Sequence, residues 1–374
     1  MTFTAPGFEA VAEAFHRNFT ELGEIGGAFA AYRDGELVVD LWGGEADPAT
    51  GRSWQADTLP LIFSGTKGLV TACVLLLVER GLLALDAPVA RYWPEFAAEG
   101  KQAITVADVL THRSRLPGLR APFTTGDLMD QKTMAGLLAA QAPETDPRAE
   151  FMYHALTFGW LVGEVVQRTD GRDIGGFFGD EFARPLGLDV WIGLPDEHHA
   201  RAAVMSAAPG VLTGPLPDTD DPLLVSVHNP LTVADAPTLW NSAMFRRAGL
   251  PAVGAFATAR SMARFYACLA AGGELDGVRV LAPSTVELGR WERRRGVDPM
   301  WGAPMAYGVG FELNTELETF GPAPDAFGHA GFGGSRHGAW PGDAVGFSYA
   351  MNETRTAPDQ RPMALLAALR QATR

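Results

Sequence analysis

Between Gly68 and Val78 the chain reads GLVTACVLLLV, a run that keeps no polar side when wound at 3.6 residues per turn. Its eleven residues fall short of the roughly 20 that a membrane-spanning helix needs. The run is therefore expected to be a buried core helix, and the rest of the chain has to be built around it. At its mouth, in LIFSGTKG, stand a serine and a lysine, Ser64 and Lys67.

The lysine is conspicuous. The 30 basic residues comprise twenty-seven arginines and only three lysines, Lys67, Lys101 and Lys132. Position 67 thus keeps an amine in a chain that otherwise uses guanidinium. Arginine stays protonated in proteins, whereas burial can strip a lysine of its proton and make it a base. Ser64 lies three residues earlier, on the same face of the first turn, so the two side chains can meet. A serine hydroxyl is a weak nucleophile until a neighbouring base takes its proton. The positive end of a helix also favours an anion forming at Ser64. The bland alternative is an N-capping Ser64 beside a Lys67 that snorkels to solvent.

A chain of 374 residues exceeds the usual size of one core, which points to two domains or to one with a substantial insertion. Phe8, Val11, Ala12, Phe15 and Phe19 recur at helical spacing, so residues 7–22 are expected to open the chain with a helix. GAFAAYRD and ELVVDLWGG follow as strands joined at Asp34-Gly35, a hairpin signal. TVADVLTH, TMAGLLAAQ and ALTFGWLVGEVVQRTD then read as helices. Residues 205–250 are Pro-rich and aperiodic, as a lid or binding loop would be. ATARSMARFYACLAAGG is helical, YGVGFEL, FGHAGFGG and VGFSYAMN are strand-like, and RPMALLAALRQA closes with a helix. The expected architecture is α+β: a sheet domain from 1–83 and 251–374, and a mainly helical domain over 84–250.

Composition narrows the function. A net charge of −14 argues against a nucleic-acid partner, which needs a dense basic face. The N-terminus lacks a basic segment followed by an unbroken apolar one, so a cytoplasmic location is expected. Cys73 and Cys268, each in an apolar helical context, are expected to be buried free thiols. His198-His199 lacks any HExxH spacing, and no metal or cofactor is expected.

A serine–lysine nucleophile calls for a second proton carrier and for a strand whose backbone lies along the substrate. Tyr153 in FMYHALTFGW, placed at the opening of a helix, is the candidate for the first. FGHAGFGGSRHG, residues 327–338 with five glycines, is the candidate for the second, since its backbone can approach a ligand closely.

These elements in this order resemble the serine β-lactamase and penicillin-binding-protein superfamily, with the closer likeness to class C β-lactamases, DD-peptidases and family VIII carboxylesterases. Ser64-Gly65-Thr66-Lys67 matches the family's SxxK box, Tyr153-His154-Ala155 matches Tyr-x-Asn in part, and His329-Ala330-Gly331 matches the third box. LTHRSRLPGL and YGVGF look like its flanking stretches. The resemblance implies a β-lactamase/DD-peptidase-like fold: an antiparallel sheet flanked by helices, with an inserted helical domain and the site between them. It implies Ser64 as nucleophile, Lys67 and Tyr153 as base and proton shuttle in an order left open, and the backbone N–H groups of Ser64 and Phe332 as the oxyanion hole.

The departures choose among relatives. Ala155 stands where β-lactamases bind the side-chain amide of their substrate, and His329-Ala330 where Lys-Thr receives its carboxylate. Poor penicillin turnover and a small-molecule ester substrate are expected, with His329, Ala330, Gly331, Ala155 and Trp240 lining its site. Arg115 is a further departure, at a position where relatives often have glycine. A D-amino-acid amidase or peptidase, a natural-product acyltransferase and an inactive ligand-binding homologue are the alternatives. An α/β-hydrolase would need a GxSxG elbow, and GGSRH around Ser335 lacks its last glycine.

Overall fold

The structure, a computed structural model, describes residues 2–211, 220–231 and 236–374. Both ends of the chain contribute to one antiparallel sheet. Its strands are β1 (Phe3–Thr4), β2 (Gly26–Arg33), β3 (Glu36–Asp47), β4 (Arg294–Asp298), β5 (Ala303–Tyr307), β6 (Glu312–Leu313), β7 (Phe327–Ala330), β8 (Arg336–Trp340) and β9 (Val345–Met351), with Arg52–Ser53 added on β3. They lie in the order β1-β3-β2-β9-β8-β7-β6-β5-β4. The two ends of the chain join between β2 and β9, where Arg33 faces Val345 and Gly27 faces Met351. β2 and β3 form the expected hairpin. Arg33 pairs with Glu36, and Asp34 and Gly35 both take positive φ, 52° and 81°, the sense that matches the strands' twist.

The longer helices are α1 (Glu9–Thr20), α2 (Thr66–Glu79), α3 (Gln131–Ala140), α4 (Thr157–Asp170), α5 (Ala259–Ala270) and α6 (Gln360–Ala372). Successive strand residues point to opposite faces, and the sheet is covered on both. Phe29, Ala31, Phe347, Tyr349 and Met351 pack with Phe8, Val11 and Phe15 at α1 and with Leu365, Leu366 and Leu369 of α6. Ala28, Ala30 and Tyr32 pack with Ala259, Ala263 and Ala267 of α5. At Gly346 the backbone of α5 rides directly on β9, because a Cβ there would fall 2.1 Å from Ala267 N.

α2 is the expected core helix. Every residue from Thr66 to Leu77 is buried, with α4, the helix Pro283–Arg290 and β7 packed around it. Truncating a leucine in such a helix, Leu75→Ala for instance, costs about 2–5 kcal/mol. Cys73 and Cys268 are both buried and free, and burial pushes their thiols up, that of Cys268 to about 12.

The helical stretch forms as expected. A capping box of Thr105 and Asp108 starts the helix Val106–Leu110, Asp130 caps α3, and Gly171 ends α4 in the left-handed conformation. α4 begins only at Thr157, so Tyr153 precedes the helix instead of opening it. The expected aperiodic segment 205–250 carries three short α-helices among its described residues, Pro222–His228, Ala236–Asn241 and Ala243–Ala248, and a 3-10 turn at Asn229–Leu231. Each is too short to show a hydrophobic period, which is why the sequence reads as irregular there. Residues 212–219 and 232–235 of that segment lie outside the described residues. Among the described residues no helix is long and apolar enough to cross a membrane.

Candidate active site

From Thr58 to Leu77 the chain is buried at every position but one, Ser64. LPLIF, though rich in strand-forming apolar residues, makes only isolated bridges, Leu59 to Ala202 and Leu61 to Phe256. It leads into the turn Phe63–Gly65, in which Phe63 takes φ 46°, a left-handed conformation uncommon for a bulky residue. Ser64 caps no helix: the residue before α2 is Gly65, and no side chain caps it. The turn is held instead by Thr66, whose hydroxyl donates to Phe63 O at 2.6 Å and accepts from Ala255 N–H at 3.0 Å.

Lys67 does not reach for solvent. Its amine is fully buried, with Nζ 3.0 Å from Ser64 Oγ, 2.8 Å from Ala155 O and 3.1 Å from Ala252 O. Loss of hydration on burial lowers its pKa well below the ordinary lysine value, opposed only by the carboxylate of Glu312. A neutral amine suits this cage. Its two N–H bonds serve the two carbonyls, and its lone pair faces the serine O–H.

Tyr153 approaches Ser64 from the other side. Its ring lies under Lys67 Nζ, 4.9 Å from ring centroid to nitrogen. Burial pushes the phenol up from its usual value, so the proton stays on. Its backbone is fixed by a residue that sequence reasoning missed: the buried carboxylate of Asp298 accepts Tyr153 N–H at 2.6 Å. The LTHRSRLPGL stretch fixes the neighbour. His112 Nδ1 accepts His154 N–H at 3.1 Å, and His154 Nε2 lies 2.8 Å from Ser114 Oγ. Arg115 sits at φ 57°, where glycine would be unstrained. It is held there by Nη1 on Glu144 O at 3.0 Å and by an ion pair to Glu150 at 2.6 Å.

The third box lies on β7 and the turn after it. Gly331 is required by close approach, since a Cβ would fall 2.4 Å from Ile62 O and 2.1 Å from Ser335 Oγ. Phe332 follows, its ring 5.6 Å from that of Phe63. Among the described residues neither the Ser64 nor the Phe332 backbone N–H donates to protein. Trp240 completes an aromatic cluster, 5.0 Å from Phe63 and 6.0 Å from Phe332. Phe245, by contrast, is core packing.

His329 and Ala155 are placed differently from what their side chains suggested. His329 is 1% exposed, tucked 6.2 Å from the Tyr153 ring, and burial with Lys67 nearby lowers its pKa to about 3. Its imidazole is therefore neutral at physiological pH and offers no pH-dependent charge there. Ala155 enters the site through its carbonyl, as does Ala252, for which the sequence carries no signal because any residue supplies a carbonyl. Ser335 is fully buried beside Gly331, with no room for a nucleophile elbow.

A serine hydroxyl within hydrogen-bond reach of a desolvated amine, with a protonated phenol beside that amine, is an arrangement fitted to acyl transfer. Residues 15–372 match the sequence profile of the family described as Beta-lactamase. The chain is 36% identical over 360 residues to Esterase/beta-lactamase LipL of Mycobacterium tuberculosis, covering 94% of this chain and 82% of that protein. Its structure is similar to the crystal structure of a family VIII carboxylesterase, with TM-score 0.92, 35% identity and coverage of 100% of this chain and 99% of that one. It is similar also to a penicillin-binding-protein homologue from Caulobacter crescentus, with TM-score 0.90, 35% identity and the same coverage. Profile, sequence and fold agree along nearly the whole length, and the chain belongs to the β-lactamase family.

Proposed function

We propose that the protein is a serine ester hydrolase that works through an acyl-enzyme on Ser64 and acts poorly on β-lactams. The observation that carries this reading is the cage of Lys67: two carbonyls and one serine hydroxyl around a fully buried amine. In the proposed reaction Ser64 Oγ attacks the ester carbonyl carbon while its proton passes to Lys67 Nζ. The developing oxyanion sits between the N–H groups of Ser64 and Phe332. Collapse breaks the bond to the alcohol oxygen, which takes a proton from the Tyr153 phenol, and the phenol is reprotonated from the Lys67 ammonium. Water then attacks the acyl-serine, and its proton returns by the same route to Ser64. The opposite pKa directions of Lys67 and Tyr153 favour the lysine as the first base. No cofactor takes part.

The neutral His329 and the hydroxyl-free Ala330 lack the amine and the hydroxyl with which the family's Lys-Thr receives the carboxylate of a β-lactam, while a neutral ester needs no such partner. Gly331 keeps the backbone of this box close to the acyl group, Ala155 holds Lys67 by its carbonyl, and Trp240 with Phe63 and Phe332 forms the wall for the acyl chain. In this reading the site falls between a sheet domain of residues 1–83 and 251–374 and a helical domain of residues 84–250, with Trp240 of the 205–250 segment against Phe63 and Phe332. A cytoplasmic location fits a small ester as substrate.

The test is side-by-side hydrolysis of p-nitrophenyl acetate, butyrate and octanoate and of nitrocefin by wild type and Ser64→Ala. Ester turnover that far exceeds nitrocefin turnover and disappears with Ser64 is expected. Substantial turnover by Ser64→Ala would remove Ser64 as nucleophile. Fast nitrocefin turnover would overturn the ester preference, and the double name of LipL makes that arm necessary.

A further inference from the structure

Beyond the cluster on Phe63, a second aromatic group, Tyr153 with Trp301, lies beside Lys67. β4 and β5 form a hairpin in which Asp298 pairs with Ala303, leaving Pro299, Met300, Trp301 and Gly302 as its tip. Trp301 is 50% exposed, and its ring stands 5.9 Å from that of Tyr153. Among the described residues no ring contact joins Trp301 or Tyr153 to Phe63, Trp240 or Phe332.

The tip is not a loose loop. The Asp298 carboxylate that holds Tyr153 N–H also accepts the N–H of Met300, the residue before Trp301, at 2.8 Å. Asp298 O accepts Gly302 N–H at 2.8 Å. One buried aspartate therefore holds the backbone of Tyr153 and both neighbours of Trp301, fixing the phenol and the exposed indole relative to each other. Met300 packs inward against Phe151, Tyr153 and Tyr307, while Trp301, the larger side chain, is left half in solvent at the phenol. A large aromatic held open on a pinned turn beside a reacting group is placed to stack on a ligand.

Which half of the ester it meets follows from the chemistry. The group that protonates the departing oxygen must lie next to the alcohol, and Tyr153 is that group in the mechanism above. We propose that Trp301 sets specificity for the alcohol half of the ester and favours alcohols that carry a flat aromatic ring, while the Phe63 cluster meets the acyl half. This inference rests on the ester-hydrolase reading.

The experiment measures kcat/KM of wild type, Trp301→Ala, Trp301→Phe and Trp240→Ala on two ester series. One keeps acetate and varies the alcohol through ethyl, benzyl and 1-naphthylmethyl. The other keeps p-nitrophenol and varies the acyl group from acetyl to octanoyl. Trp301→Ala is expected to cut the preference for naphthylmethyl over ethyl acetate about tenfold, with Trp301→Phe between it and wild type and the acyl-chain preference unchanged. Trp240→Ala is expected to do the reverse. An unchanged alcohol preference in Trp301→Ala, or a changed acyl preference in its place, overturns this inference while the hydrolase reading stands. A wild type that cleaves no ester of either series overturns both.

Discussion

Two of the three lysines are fully buried, and their surroundings differ in one partner. Lys101 Nζ has Ala98 O at 2.8 Å, Ala139 O at 2.9 Å and Gln141 O at 2.5 Å. Lys67 has two carbonyls and the hydroxyl of Ser64. A carbonyl can only accept, so the cage of Lys101 needs all three N–H bonds of an ammonium. A hydroxyl can donate as well as accept, so the cage of Lys67 is satisfied by a neutral amine. Lys101 closes the C-terminal end of α3, where free carbonyls and the negative end of the helix favour a cation. The two buried lysines therefore stand where a compact amine fits and a guanidinium does not, and the third partner separates a strut from a base.

The largest expected effect divides the pair. Lys67→Arg should lower ester turnover by on the order of 10²–10⁴-fold, since the charge stays and the base is lost. Lys101→Arg should cost stability, about 2–3 kcal/mol from misplaced charge-assisted hydrogen bonds, with kcat near wild type. Turnover of p-nitrophenyl butyrate and urea midpoints of both variants check this. Comparable activity losses in the two would erase the distinction. Tyr153→Phe, which keeps the ring and removes the proton, should lower kcat by about 10²-fold with little change in midpoint.

The same difference should appear in pH dependence. In the folded protein Lys67 has a lowered pKa, so activity is expected to rise with pH as its amine loses the proton and then to stay level, because the Tyr153 phenol is shifted upward. Stability has the same sign. Between its folded and unfolded pKa values the folded state holds one proton fewer than the unfolded chain, so unfolding becomes harder as pH rises through that window, by at most about 1.4 kcal/mol per unit. In Lys67→Met that contribution should vanish from urea midpoints measured from neutral pH upward.

What the sequence carried and what it did not can be seen at these sites. The apolar run of α2, the Asp34-Gly35 hairpin and the Ser64–Lys67 spacing each act over one turn or one loop, so local pattern contains them. Tyr153 was legible as a residue, but its setting was not: its backbone depends on Asp298, 145 positions away in sequence. β4 and β8 gave no period to read, being short and partly covered by Gly and Arg. Ala252 O and Ala155 O are the clearest limit. A backbone acceptor is independent of residue type, so the cage that sets the chemistry of Lys67 is a property of the fold.

The smallest expected effect sharpens the comparison most. Each lysine has one carboxylate that favours its charged form, Glu312 for Lys67 and Glu99 for Lys101. Glu312 is buried, accepts Ala330 N–H at 3.2 Å and lies 3.8 Å from His329 Nδ1, whereas Glu99 is exposed. Low dielectric strengthens the first interaction and water screens the second. Glu312→Gln keeps an acceptor for Ala330 and removes the charge, so the Lys67 amine should lose its proton more easily and the acid limb of kcat/KM should move to lower pH. Glu99→Gln should move neither that limb nor turnover. A limb that moves to higher pH in Glu312→Gln would mean that the titrating group is an acid stabilised by Glu312 in some other way, and that the neutral amine inferred from the Lys67 cage is not the base.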